Sequence, residues 1–89
     1  MKNGLIKYSD GTKRWWKNGE RHREDGPAIE YPNGTKEWCK NGKRHREDGP
    51  AVEWPGGVKS WWRNGIFIMR TEGSVTEAQV KEFKLKNIQ

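Results

Sequence analysis

Hydrophobic and polar positions alternate in three stretches of the chain, and these stretches are copies of one another at a step of 23 residues. A fixed period of this size is typical of units that cannot bury an apolar face alone and stack on their neighbours. The pattern predicts one domain over 1–89, with units at about 5–27, 28–50 and 51–65. Three sets of positions carry the period: Tyr8, Tyr31 and Trp54; Trp15, Trp38 and Trp61; Asn18-Gly19, Asn41-Gly42 and Asn64-Gly65.

Each unit contains two alternating segments separated by a pair of turn-forming residues. Such pairs suit a two-residue type I′ hairpin loop, whose central residues need positive φ. With that loop, Ile29 lies opposite Trp38, and both share a face with Tyr31. We therefore expect Trp15, Trp38 and Trp61 on the core face and Trp16, Cys39 and Trp62 on the other. The turn pairs are Asp10-Gly11, Asn33-Gly34 and Gly56-Gly57.

Consecutive hairpins predict a mainly β fold: three tandem antiparallel β-hairpin repeats that form a twisted single-layer meander, joined by charged links such as 41–50. After the third unit the pattern predicts an apolar strand over 66–69. Thr76 and Gln79 have capping-box spacing, which predicts a short capping α-helix over about 77–86. The N-terminal edge, 5–8, has no such cover: either Lys2 and Lys7 blunt it, or it is a candidate edge for a homodimer or a partner.

Composition points to an aromatic core in a basic, soluble chain. The net charge is +6 and aliphatic residues are few, but six Trp and two Tyr stand at regular positions, where each can bury a large apolar area. No apolar run is long enough to span a bilayer, and no signal-peptide pattern is present. Cys39 is the only cysteine, which excludes an internal disulfide. We expect a cytoplasmic protein without membrane insertion and without a cofactor.

The repeated residues resemble the MORN repeat (membrane occupation and recognition nexus) in its divergent bacterial and viral variants. The shared features are W-x-K-N-G, then G-x-x-H, and a G-P-A that opens the next strand, over about residues 5–65. Where the common MORN loop has Gly directly after His, this chain has Arg23 and Arg46. The segment H-R-E-D-G-P-A, present twice, resembles repeats of phage and large-virus proteins. The resemblance implies an elongated stack of hairpins used for binding, as in protein scaffolds.

The two H-R-E-D segments, 22–25 and 45–48, each bring a histidine, an arginine and two carboxylates together. Such a set could hold a divalent metal or act as acid and base in phosphodiester cleavage. We favour a structural role, because loops at a fixed period must first make the same turn; a binding edge is the second interpretation. The chain is therefore predicted not to be an enzyme, and no catalytic or metal residue is assigned.

Trp16 and Trp62 are the aromatic residues that are hardest to place in a core, because the other residues of their predicted face are small or charged. Exposed Trp often anchors a protein interface, although a second sheet layer or a homodimer would also cover these rings. The leading hypothesis is a non-catalytic β-repeat protein, a small phage-encoded inhibitor or adaptor that binds a bacterial host defence protein. The candidate partner-binding residues are Trp16, Trp62, Arg21, His22, Arg23, Arg44, His45 and Arg46.

The alternative is a nucleic-acid or nucleotide binder. Basic residues interleaved with aromatic rings suit a single-stranded nucleic acid, whose phosphates are neutralised while its bases stack. The competing interpretation, which we favour, is that the rings form the core and the lysines lie along them with their ammonium groups in water. The candidate residues are Lys13, Lys36, Lys59, Lys17, Lys40 and Arg63.

Overall fold

The computed structural model describes residues 1–72, and this part of the chain is built from ten short β-strands in antiparallel pairs. The prediction of a mainly β, antiparallel chain is confirmed. The helix predicted over about 77–86 lies outside the described residues. The strands are β1 (Gly4–Lys7), β2 (Lys13–Lys17), β3 (Glu20–Arg21), β4 (Ile29–Glu30), β5 (Lys36–Glu37), β6 (Cys39–Lys40), β7 (Lys43–Arg44), β8 (Val52–Glu53), β9 (Lys59–Arg63) and β10 (Ile66–Thr71).

One sheet runs through the described segment in the order β1-β2-β4-β5-β8-β9-β10, with β3 paired to the end of β2. Strands β6 and β7 form a separate two-stranded ladder. Equivalent hydrogen bonds recur at the 23-residue step: the backbone N–H of Trp15 donates to the carbonyl of Ala28 (2.8 Å), and that of Trp38 donates to the carbonyl of Ala51 (2.7 Å). Each unit is thereby fastened to the next by main-chain hydrogen bonds.

The loops at the hairpin tips contain three residues and not two. Tyr31 N donates to the carbonyl of Thr35 (2.9 Å), and Gly34 N donates to the carbonyl of Tyr31 (3.0 Å). Gly34 has a φ of +95°, as expected for a turn followed by a glycine bulge. The Asn33 side chain accepts a hydrogen bond from Thr35 N (2.9 Å). The two-residue loop predicted for Asn33-Gly34 is therefore wrong.

The additional loop residue shifts the register by one position and exchanges the two faces of half of each hairpin. Ile29 lies opposite Glu37, so the predicted pairing of Ile29 with Trp38 is wrong. Since residues that lie opposite each other share a face, Trp16, Cys39 and Trp62 lie with Ile29, and the other three Trp do not. Face 1 carries Ile6, Ile29, Val52, Tyr8, Tyr31, Trp54, Trp16, Cys39 and Trp62; face 2 carries Leu5, Ala28, Ala51, Trp15, Trp38 and Trp61.

Two-residue type I′ turns do occur, but at the Asn-Gly pairs that follow the second strand of each unit. Asn18, Asn41 and Asn64 all have a φ of +51°, and the glycines after them also have positive φ. These turns lead into β3, β7 and β10. The segments predicted to be charged links therefore begin with a third strand.

The core is thin and lies on both faces of the sheet. Its largest fully buried side chains are Ile29, Val52, Cys39 and Ser60, whereas most of the Trp rings are only partly covered. Among residues 1–72, Trp61 is the only Trp that is buried. The centre of the core is therefore small and aliphatic, and the partly covered aromatic side chains lie around it instead of forming it.

The two ends of the sheet differ. The last strand, β10, is longer than the strand predicted over 66–69 and pairs along β9 from Ile66 to Thr71, with a bulge between Phe67 and Met69. The first strand, β1, pairs only with β2. Among the described residues both β1 and β10 are therefore edge strands that pair on one side only, β1 being the shorter of the two.

Candidate functional site

The arginine of each H-R-E-D loop is held in place by the fold. The Arg23 guanidinium lies 3.9 Å from the centre of the Trp15 ring. Its Nε donates to Asp25 Oδ1 (3.0 Å), and its Nη1 donates to the carbonyl of Pro27 (3.2 Å) and to Glu30 Oε2 (3.4 Å). Arg46 repeats these contacts with Trp38, Asp48, Pro50 and Glu53 at 3.9, 3.2, 3.1 and 3.0 Å. Both side chains therefore serve to fix the loop against the next strand.

The histidines of these loops brace the type I′ turns of the following unit. His22 Nδ1 accepts a hydrogen bond from Asn41 N, and His45 Nδ1 accepts one from Asn64 N, each at 3.0 Å. The other ring nitrogen, Nε2, lies 3.3 Å from a Glu24 carboxylate oxygen in the first loop and 3.5 Å from a Glu47 oxygen in the second. Both nitrogens of each ring therefore face protein atoms.

The residues before β1 do the same for the first turn. Asn3 Oδ1 accepts a hydrogen bond from Asn18 N (2.9 Å), and the carbonyl of Lys2 accepts one from Gly19 N (3.0 Å). An amide oxygen thus takes the place that an imidazole nitrogen takes in the later units. The recurrence of this contact with a different side chain indicates that the role is to hold the turn.

A groove of about 560 Å³ separates the two H-R-E-D loops. Its walls mix charges: Lys40 Nζ lies 3.8 Å from a Glu24 oxygen, and both loop arginines are paired as described. Within residues 1–72, no group of three or more His, Cys, Asp or Glu side chains is placed to hold a metal ion. The groove is therefore the space between two loops that make equivalent contacts.

The lysine rows proposed for nucleic acid lie on face 2, and the main row is interrupted by carboxylates. Glu30 lies between Lys13 and Lys36 across the strands, and Glu53 lies between Lys36 and Lys59. At the other ends of these strands, Lys17 lies opposite Glu20, Lys40 lies near Glu24, and Arg63 lies opposite Ile66. A phosphate chain that crossed the main row would meet a carboxylate at every second strand.

A second row crosses face 1 and brings four of the predicted partner residues together. Trp16 lies opposite Arg21, Cys39 lies opposite Arg44, and Trp62 lies opposite Phe67. We call these six residues the aromatic–arginine row. The other four predicted partner residues, His22, Arg23, His45 and Arg46, are not part of it, because they form the loop contacts described above.

A cation lies over each of the two Trp rings of this row. Lys2 Nζ lies 4.5 Å from the centre of the Trp16 ring, and the Arg44 guanidinium lies 4.8 Å from the Trp62 ring. The Phe67 ring meets Trp62 edge-on, with centroids 5.3 Å apart. Phe67 remains 52% exposed. The row therefore presents a partly exposed aromatic cluster at its β10 end.

Glu37 breaks the repeat in the middle of face 1. The equivalent positions hold Arg14 and Ser60, but the Glu37 side chain is 9% exposed. Its Oε1 accepts a hydrogen bond from Arg44 Nε (2.8 Å), and its Oε2 accepts one from the Tyr31 hydroxyl (2.7 Å). Sequence reasoning missed Glu37, although its departure from Arg and Ser at the equivalent positions was the available signal.

Cys39 also departs from the repeat, since the equivalent positions hold Trp16 and Trp62. Burial raises the pKa of the Cys39 thiol to about 11, and burial followed by the neighbouring Glu37 raises the pKa of Tyr31. A thiol with such a pKa is protonated at neutral pH and is a poor nucleophile. Cys39 is therefore a buried, unreactive residue between the two Trp positions of the row.

Comparison with known proteins does not assign the chain to a family. No protein-family model, curated protein or solved structure matches it. Among residues 1–72 there is no helix that is long and apolar enough to cross a membrane.

Proposed function

We propose that this chain is a non-catalytic binding protein that holds a partner protein on the aromatic–arginine row of face 1. The observation that carries the proposal is the convergence of two Trp, two Arg and an exposed Phe on one face. Trp and Arg are enriched among the residues that dominate binding energies, and aromatic residues in general are enriched at interfaces.

The charges of the row support the same proposal. Within the described segment, Arg21 makes no ion pair, whereas each loop arginine pairs with two carboxylates. A guanidinium on a surface beside a Trp ring is well suited to meet a carboxylate or a carbonyl of a partner. Arg21 is therefore the residue that we expect to make the most specific contact.

We further propose that the units form a MORN-like stack of three tandem hairpin repeats and that the partner is a protein of a bacterial host. The stack is supported by the 23-residue recurrence of the inter-unit hydrogen bonds. The assignment as a phage-encoded inhibitor or adaptor is supported only by the resemblance of H-R-E-D-G-P-A to viral repeats. The nucleic-acid alternative is weaker, because glutamates interrupt its main lysine row.

The test is affinity capture of the tagged chain from a bacterial lysate treated with nuclease, at moderate and at high salt. A stoichiometric protein that remains at high salt supports the proposal, and it should be lost with Arg21→Glu combined with Phe67→Ser. The control, Lys36→Ser combined with Lys59→Ser, changes exposed residues of face 2 and should retain the partner.

Trp16→Ala and Trp62→Ala are less suitable as the primary variants, because the two rings are half-buried and Trp62 Nε1 donates to Ser60 Oγ (2.8 Å). Thermal unfolding of every variant should accompany the capture. Retention of the same partner by the folded face 1 variant would refute the choice of this face. In a parallel capture without nuclease, nucleic acid that is bound at moderate salt and lost at high salt would favour the alternative, since phosphate contacts release counterions.

A further inference from the structure

The open edge of the sheet offers an interaction surface that is distinct from face 1. Strand β1 pairs with β2 on one side only, and Leu5 in this strand is 43% exposed. The main-chain groups on the outer side of an edge strand are a template for another strand. The other edge of the described sheet is β10, which pairs with β9 on one side and runs in the same direction as β1.

The later units show how a strand pairs at this edge. Strands β4 and β8 are the equivalents of β1, and each is paired on its outer side by a strand of the preceding unit, β2 or β5. In these pairs the carbonyl of Ala28 accepts a hydrogen bond from Trp15 N, and that of Ala51 accepts one from Trp38 N. Leu5 is the equivalent residue of β1, so its carbonyl is the acceptor that an added strand would meet first.

The charges at this edge differ from those inside the sheet. Between the units, Lys and Glu alternate across the strands: Lys13 lies opposite Glu30, and Glu30 lies opposite Lys36. The equivalent of Glu30 in β1 is Lys7, which lies directly opposite Lys13. Like charges in directly opposed positions are unfavourable. A carboxylate on the outer side of Lys7 would restore the alternation.

We propose that β1 binds an extended segment of a partner protein as an added antiparallel strand, and that this segment carries Asp or Glu opposite Lys7. We take the pairing of β2 with β4 as the template for the added strand. The residue that follows the acidic one then lies opposite Ile6, and the next residue along the added strand donates its N–H to the Leu5 carbonyl. That residue shares a face with the acidic one, where an apolar side chain would cover Leu5.

The same charges disfavour a second copy of this chain as the occupant. In a stack continued by another copy, the edge strand that meets β1 is β10, which runs parallel to β1 and carries Thr71 where the acidic residue is needed. The antiparallel strand before it, β9, carries Lys59 at that position and is covered by β10. The occupant inferred here is therefore an acidic strand of a different protein. The inference does not depend on the proposed use of face 1.

Two synthetic peptides test this inference. Both copy residues 10–18, and they differ only at the position of Lys13, which is Glu in one peptide and Lys in the other. Each is titrated into the ¹⁵N-labelled chain and followed by NMR. We expect the Glu peptide to shift the amides of Gly4–Lys7 and to bind about fivefold more tightly than the Lys peptide, as expected for exchanging a like for an opposite charge across a strand pair. In the Lys7→Glu variant the preference should reverse, whereas Lys43→Glu, with the same change in net charge, should leave it unaltered.

A third peptide keeps the Glu and is N-methylated at the residue whose N–H would donate to Leu5; it should not bind. Equal affinity for the Glu and Lys peptides, shifts confined to other strands, binding of the N-methylated peptide, or no binding at millimolar concentration would each overturn the proposal. Sedimentation equilibrium supplies a further check. A dimer of the unmodified chain that dissociates when Leu5→Pro is introduced would show that a second copy occupies the edge, and would also overturn it.

Discussion

At the scale of single residues, Glu37 and Cys39 of the middle unit distinguish face 1, because they differ from the residues at the equivalent positions of the other two units. Glu37 is a buried carboxylate whose oxygens are satisfied by Arg44 and by the Tyr31 hydroxyl. A buried carboxylate of this kind is tolerated only when such partners compensate for lost hydration. Glu37 therefore fixes the position of Arg44, and through it the side of the Trp62 ring that Arg44 covers.

Replacement of Glu37 tests this role. Glu37→Gln retains the shape of the side chain but removes the charge that Arg44 meets, so we expect the free energy of unfolding to fall by about 1–3 kcal/mol. Urea denaturation followed by Trp fluorescence measures the change. Glu24→Gln is the control, because the Glu24 side chain is 65% exposed and its loss should change stability little. An unaltered stability of Glu37→Gln would mean that the pair does not hold the middle unit.

The thiol of Cys39 gives a prediction for alkaline pH. Its pKa in the folded chain is raised from 9.0 to about 11, so the folded state binds this proton more tightly than the unfolded state does. The stabilisation is complete below about pH 9 and is lost as the pH rises towards 11. The raised pKa of Tyr31 acts in the same direction.

We therefore expect the melting temperature of the unmodified chain to fall between pH 9 and pH 11, and to fall by less in Cys39→Ala, in which the contribution of Tyr31 remains. The thiol should also react slowly with a thiol reagent at pH 8 until the chain is unfolded in urea. Rapid reaction of the native chain would show that Cys39 is not buried.

At the scale of elements, identical dipeptides form different turns. Asn33-Gly34 belongs to a three-residue loop, whereas Asn41-Gly42 is a two-residue type I′ turn. In the second unit Pro32 favours this loop, because its fixed φ suits the first central position of a turn and moves Asn33 to the second. The first unit forms the same loop with Ser9 at that position. The sequence contained this signal, and omitting it moved the predicted register by one residue.

That single displacement explains which predictions failed. The period, the antiparallel pairing and the locations of the turns were predicted from the spacing of residues along the chain, which a register shift of one residue does not change. The assignment of side chains to faces does change, because neighbouring side chains in a strand point to opposite sides. The correct grouping of Trp16 with Ile29, and the partners of Glu37, could be established only once the loop length was known.

Substitutions at the two asparagines distinguish the two turns. At Asn41, with a φ of +51°, we expect Ala to cost about 1 kcal/mol and Gly to restore most of that loss, because only the backbone conformation is at issue. At Asn33, Ala and Gly should both destabilise the chain, because each removes the hydrogen bond to Thr35 N. Urea denaturation of the four variants provides the measurement. Rescue by Gly at position 33 as well would contradict the three-residue loop.

At the scale of the whole molecule, cross-strand charges hold the units in order. On face 2, Lys and Glu alternate from Lys13 to Lys59, so each unit meets its neighbour through opposite charges. The alternation fails only between Lys7 and Lys13 among the described strands of this row. Opposite charges therefore meet inside the sheet and like charges meet at the β1 edge, where an added acidic strand would relieve the repulsion.

The isolated chain should reveal this difference without any partner. Lys7→Glu places opposite charges across β1 and β2, so we expect it to stabilise the chain by about 0.5 kcal/mol, whereas Lys36→Glu, which places a third glutamate beside Glu30 and Glu53, should destabilise it by a similar amount. Both effects should shrink when urea denaturation is repeated in 1 M salt, because the side chains are exposed and screening acts on them strongly. A stabilisation by Lys7→Glu that persists in high salt would have to arise from packing, and the electrostatic account of the open edge would then fail.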